Sequence, residues 1–142
     1  MNVRFVVPLR PPGSLSDEAY AEIEVALRVT VSSLLAQTDR SVRIVVAAHR
    51  LPRWHAEMTG SVDFLLFPED DRFPLRRAHR HIDQAFKTAV AGIYAVSCLD
   101  ADLVVRIDGD DFARRDLAEA FSNMDLTGDG VILTRGYNIE VA

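Results

Sequence analysis

Cysteine is almost missing from this chain. Cys98 is the single one, so no internal disulfide can staple the fold, and a reducing, cytoplasmic setting is the expectation. Positive charge is in deficit as well: 16 Lys and Arg stand against 21 Asp and Glu, a formal net charge of −5. That balance argues against a nucleic-acid partner. No apolar run reaches the length of a membrane span, so no transmembrane segment is expected. The apolar patch at residues 5–7 is cut off by Pro8, Pro11 and Pro12, too soon for a signal peptide. Internal repeats and low-complexity tracts are also lacking.

What is present is a chain of 142 residues with 49% hydrophobic residues, enough for one domain with a substantial core. Strand-like and helix-like stretches alternate along it. Residues 3–7 read as a first strand that runs into a stiff loop, Pro8-Leu9-Arg10-Pro11-Pro12-Gly13. Ser14 or Ser16 can cap the helix that follows. Its apolar stripe is Tyr20, Ile23, Leu27, Val31, Leu34 and Leu35, at steps of three and four. Residues 42–47 form a second strand, apolar on both faces, which implies cover from both sides. Residues 62–67 form a third, ending at Pro68-Glu69-Asp70-Asp71. A long helix lies between Leu75 and Ser97, with Ile82, Phe86, Ala89, Ile93 and Val96 expected on its buried face. A fourth strand, a shorter helix and a further strand at residues 131–134 complete the pattern. Such alternation predicts an α/β fold: a Rossmann-like, mostly parallel sheet with helices on both faces and right-handed crossovers. The expected strand order is 3-2-1-4.

The fourth strand carries the chemistry. Residues 104–107 form a β-branched run, expected to be buried, that stops at Asp108-Gly109-Asp110-Asp111. Three carboxylates at one strand end repel one another unless a cation or a helix N-terminus neutralises them. Mg²⁺ is usually held by one or two carboxylates together with substrate phosphates. Gly109 removes a side chain where a ligand would approach the backbone. The plainer alternative is a turn in which Asp111 caps a helix over residues 114–124, which accounts for one or two of the three. In open parallel sheets, ligands sit beyond the carboxyl ends of the strands. The loops at residues 8–10, 48–50, 68–71 and 108–111 should therefore share one edge.

A basic segment, Arg72, Arg76, Arg77 and Arg80, falls at the start of the long helix, where the macrodipole disfavours cations. Arg76, Arg80 and Lys87 line up on one face, opposite the apolar stripe. A solvated polar face explains such a line, and a phosphate near that helix end would explain it too. The other signals are weaker. His79 and His81 are too close in sequence to share a helix face as metal ligands. His49 and His55 have no evident partner, Trp54 and Tyr137 could stack or simply pack, and Ser32, Ser33 and Cys98 have no adjacent base.

Two motifs resemble a known family. Leu34-Leu35-Ala36-Gln37-Thr38, followed by the second strand, is similar to the helix end of inverting family 2 glycosyltransferases. Arg106-Ile107-Asp108-Gly109-Asp110-Asp111 is similar to their Asp-x-Asp-Asp metal motif, most of all in the rhamnosyltransferase-like branch. The resemblance covers residues 3 to about 121. It implies a GT-A fold, a nucleotide-diphosphate sugar as donor, and Mn²⁺ or Mg²⁺ as cofactor. By that resemblance Pro8, Leu9 and Arg10 border the base and ribose. His49 stands where the family often has an Asp that reads the base, and Arg80 or Lys87 approaches the diphosphate. Asp110 and Asp111 share ribose and metal contacts, with Asp108 in support.

Family members continue beyond this length into a half that supplies the acceptor pocket and the general base. The expectation is therefore a single nucleotide-sugar-binding domain over residues 1–142, truncated before the acceptor half, with no visible base and an unidentified acceptor. This chain alone should not transfer sugar at an appreciable rate. Homo-oligomerisation stays open. A non-catalytic nucleotide-sugar-binding or assembly module is the alternative. A haloacid-dehalogenase-type phosphatase ranks last, because its acid motif normally follows the first strand.

Overall fold

Residue periodicity decides how the sheet is covered. In the computed structural model, which describes residues 1–12, 15–58, 60–68 and 77–125 (backbone only for 77–80), the strands are β1 (Val3–Pro8), β2 (Arg43–Ala48), β3 (Val62–Leu66) and β4 (Leu103–Arg106). All neighbours are parallel and the order is β3-β2-β1-β4, the expected 3-2-1-4. The strand expected at residues 131–134 lies outside the described residues. β1 and β2 are central and almost wholly buried. β4 is half-buried rather than buried, because it is an edge strand among the described residues.

Alternate side chains of each central strand feed two cores. Val3, Phe5, Val7, Ile44 and Val46 pack with Tyr20, Leu27, Val31 and Leu34 of helix α1 (Asp17–Leu35). This is the face predicted from the stripe. Ser16 is the N-cap, its hydroxyl accepting from the Ala19 N–H at 3.2 Å. Ala118 and Phe121 of helix α3 (Leu117–Ser122) join the same core.

The opposite core is thinner. Val6, Val45 and Ala47 meet Ala91 and Ala95 of helix α2 (Arg77–Leu99). Here the structure reverses an expectation. Ile82, Phe86, Ala89, Ile93 and Val96 are all exposed, and the face that includes Lys87, Ala91 and Ala95 turns inward. Small side chains let α2 lie close on the sheet: a Cβ on Gly92 would stand 4.0 Å from Val104 Cγ1. The large residues would hold the helix away, so they point outward.

Buried polar groups tie the amino ends of the strands. Arg4 donates from Nε to the Leu99 carbonyl at 2.9 Å and from Nη1 to that of Ser41 at 3.0 Å. Asp39 accepts from the Ser41 N–H and hydroxyl, and these bonds hold its carboxyl below the ordinary carboxylate range.

Candidate functional site

Parallel strands bring their carboxyl ends to one edge, and the acid segment sits there. The Ile107 N–H donates to the Val6 carbonyl at 3.0 Å, prolonging the β1–β4 pairing, and the chain then turns. The turn is closed by the Asp111 N–H donating to the Asp108 carbonyl at 3.1 Å. It lies beside the end of β1, as expected, but Gly109 has a different role from the one expected. A Cβ there would come within 3.2 Å of Leu9 Cδ1, 3.7 Å of Leu27 Cδ1 and 3.8 Å of Val7 Cγ1. Its bareness accommodates the core rather than a ligand.

The capping alternative does not hold either. The N-cap of α3 is Asp116, five residues beyond Asp111, and it makes no side-chain cap bond. Asp108 is engaged: its Oδ1 accepts from Arg106 Nη2 at 2.7 Å and from Gln84 Nε2 at 3.1 Å. Asp110 and Asp111 are exposed, and their carboxylates have no hydrogen-bond or ion-pair partner among the described residues. Desolvation pushes the Asp111 carboxyl up, and the neighbouring charges of Asp108 and Asp110 push it further. Among the described residues the turn is thus short of positive charge.

Pro8 and Leu9 are buried beside this turn and Arg10 is exposed. His49 follows the end of β2. Its Nδ1 lies 3.2 Å and 3.0 Å from the carbonyl oxygens of Phe67 and Pro68, and its Nε2 lies 2.8 Å from Asp83 Oδ1. Asp83 Oδ2 in turn accepts from Lys87 Nζ at 2.7 Å, and the same ammonium donates to the Leu9 carbonyl at 2.8 Å. Lys87 is 0% exposed. Desolvation holds its ammonium below the ordinary lysine range, although Asp83 pulls the other way. Lys87, expected to approach a diphosphate, instead ties α2 to the end of β1. The reason is geometric: it shares the sheet-facing side of α2 with Ala91. Arg80, Arg76 and Arg72, and the loop at residues 69–71, lie outside the described side chains.

Sequence reasoning missed two residues that build this edge and the structural role of a third, named only as part of a motif. Asp83 and Gln84 are the first two, linking α2 to the ends of β1 and β2 and to the acid turn. The i,i+4 spacing of Asp83 and Lys87 was their available signal. Gln37 is the third. Its Nε2 donates to the Arg114 carbonyl at 2.7 Å, and its Oε1 accepts from the Ala118 N–H at 2.9 Å. Thr38 adds a bond from its N–H to the Arg115 carbonyl at 2.9 Å, and the Ser33 hydroxyl accepts from the Ala113 N–H at 3.1 Å. The end of α1 thereby clamps the segment that leaves the acid turn. Trp54 is a packing residue: it is buried and donates from Nε1 to the Glu24 carbonyl at 3.1 Å.

No group of three or more His, Cys, Asp or Glu converges in a metal-binding arrangement among the described residues. Two carboxylates without a partner among the described residues fit a cation that takes its other ligands from phosphate oxygens. A large open groove of about 790 Å³ lies elsewhere, along the outer flank of α1 between Val25, Val29, Arg28 and Trp54, and reaches the acid segment through Phe112. No helix among the described residues is long and apolar enough to cross a membrane. Compared with family models and with curated proteins, the chain matches none.

Proposed function

We propose that this chain is a metal-dependent glycosyltransferase, or its donor-binding half, acting in the cytoplasm on a nucleotide-diphosphate sugar. One observation carries the reading: in a parallel 3-2-1-4 sheet, a turn whose Asp110 and Asp111 have no partner among the described residues lies against Leu9 at the end of β1. Strand ends of such sheets are where nucleotides bind. The motif resemblance adds the chemical class.

In this reading Pro8, Leu9 and Arg10 border the base and ribose. Asp110 and Asp111 take the divalent ion, with Asp110 also reaching the ribose. Asp108, held by Arg106 and Gln84, keeps the turn in place. Mn²⁺ or Mg²⁺ held there would supply positive charge to a diphosphate beside the carboxylates. His49 and Lys87 act through their bonds to Asp83 and to the Leu9 carbonyl, which fix the loop that the nucleotide would touch. Arg80 is assigned to the diphosphate by resemblance alone. The acceptor and a catalytic base are not assigned.

The test is a thermal-shift matrix of UDP, dTDP and GDP, each with Mn²⁺, with Mg²⁺ or with chelator. A nucleotide at about 100 times its dissociation constant stabilises the fold by roughly 2.7 kcal/mol. In a domain of this size that is a rise of several degrees. The shift should need metal and should vanish in Asp110→Asn and Asp111→Asn. No shift in any metal-containing well, or an equal one with chelator, refutes the reading. Metal-dependent binding without transfer to any acceptor by a chain carrying a complete acceptor half would assign the non-catalytic alternative.

A further inference from the structure

The exposed side of α2 is the least expected surface of the molecule. Ile82, Phe86, Ile93 and Val96 are 65%, 59%, 66% and 57% exposed, and Ala89 is exposed between them. Their spacing is four, three, four and three residues. That is the a/d repeat with which one helix packs on another, narrower than the stripe of a helix lying on a sheet. From Gln84 to Leu99 the only charged side chain is Lys87, which is buried on the other side. Nothing ionic therefore opposes closure along four turns.

We propose that this face is a dimer interface, with α2 of one chain packed antiparallel on α2 of a second copy about a two-fold axis at Ala89. A two-fold contact must be self-complementary. About that axis Ile82 meets Val96 of the other copy, Phe86 meets Ile93, and Ala89 meets Ala89. The smallest residue falls where the helices cross, and the larger ones flank it. Ala85 borders the seam and lets the backbones approach. Taking roughly 150–200 Å² for each large side chain, the stripe offers about 450 Å² per copy. With its rim, the pair buries on the order of 1,000 Å² in total, the lower bound for a specific but weak association. A membrane surface is disfavoured by the seam's rim: amphipathic helices that lie on lipid carry Lys and Arg there, and this one has Ala85, Val90 and Ser97. The proposal is independent of the glycosyltransferase reading, since it concerns the helix face turned away from the sheet.

Sedimentation equilibrium of the full chain at about 100 μM should show a reversible dimer, a concentration at which micromolar pairs are mostly formed. Ile93→Lys places a charge opposite Phe86 and should weaken association about 30-fold or more. Ile93 is 66% exposed, so the melting profile of that variant at low concentration should stay close to the wild type. In a Cys98→Ser background, Ala89→Cys should be joined into a covalent dimer by a short bis-maleimide, and Ser97→Cys far less. A chain that stays monomeric at 100 μM overturns the proposal, whether radical footprinting finds Phe86 and Ile93 open or covered. So does association untouched by Ile93→Lys, or a monomer that binds anionic vesicles through the stripe.

Discussion

Replacing Lys87 by Met tests whether the buried ammonium is a structural tie. The substitution keeps most of the aliphatic stem, so little packing is lost. It removes two hydrogen bonds, at 2.7 Å to Asp83 and 2.8 Å to the Leu9 carbonyl. Breaking one side of a buried ion pair costs roughly 3–5 kcal/mol when the partner is left unpaired. Asp83 keeps its 2.8 Å contact with His49 and some access to water, so the cost should fall at the lower end. Relief of the lysine's own desolvation offsets part of it, and the orphaned Leu9 carbonyl adds part back. We expect a net loss of about 2–4 kcal/mol, or a melting point lower by roughly 10 °C. Urea unfolding followed by circular dichroism and by the fluorescence of buried Trp54 measures it. Asp83→Asn should cost a similar amount, and the double variant less than the sum of the two. The pH dependence has a definite sign. The folded-state lysine titrates below its unfolded value of 10.5. Its contribution therefore rises with pH through the window just under 10.5 and is lost as pH falls through the folded value. The gap between wild type and Lys87→Met should widen accordingly. A variant within about 1 kcal/mol of wild type, with additive behaviour towards Asp83→Asn, would refute the tie. If that variant also lost nucleotide binding, Lys87 would return as a ligand-contacting cation.

Gln37→Ala should destabilise by about 1–2 kcal/mol, because it orphans the Ala118 N–H, while the Arg114 carbonyl loses one donor and keeps the Leu117 N–H. It should also weaken the metal-dependent nucleotide shift, and Gln37→Glu should not rescue it, since a carboxylate faces the Arg114 carbonyl. Denaturant titration and the thermal-shift matrix read the two effects. Asp111→Asn should raise stability at pH 7 while abolishing that shift. The carboxyl's folded-state value is raised above 3.8, so its favourable contribution is present below 3.8 and is lost as pH rises through the folded value. The advantage of the Asn variant should therefore disappear in urea titrations repeated at about pH 3, below both values.

The strand–helix alternation and the parallel sheet could be reasoned from the linear pattern, because they depend on local periodicity and on the need for crossovers, and the 3-2-1-4 order is the one expected of a Rossmann-like sheet. The stripe of α1 was legible for the same reason, as was the placement of the Asp108 turn next to Leu9. Periodicity reports which residues share a helix face, and not which face turns inward. On α2 that choice went against hydrophobicity: Ala91, Ala95 and Gly92 allow a close approach that Ile82, Phe86 and Ile93 would prevent. Lys87 was carried inward with the small residues, and its charge is met by Asp83 and by a carbonyl from a strand 78 residues away. Gln37 and Gly109 are similar cases. Their partners, the segment after the acid turn and the side chains of Leu9, Leu27 and Val7, come from distant stretches that only tertiary packing brings together. The sequence alone determined which carboxylates stand at the sheet's edge, and only the tertiary structure decided that Asp108 is held while Asp110 and Asp111 have no partner among the described residues, because Gln84 arrives from another helix.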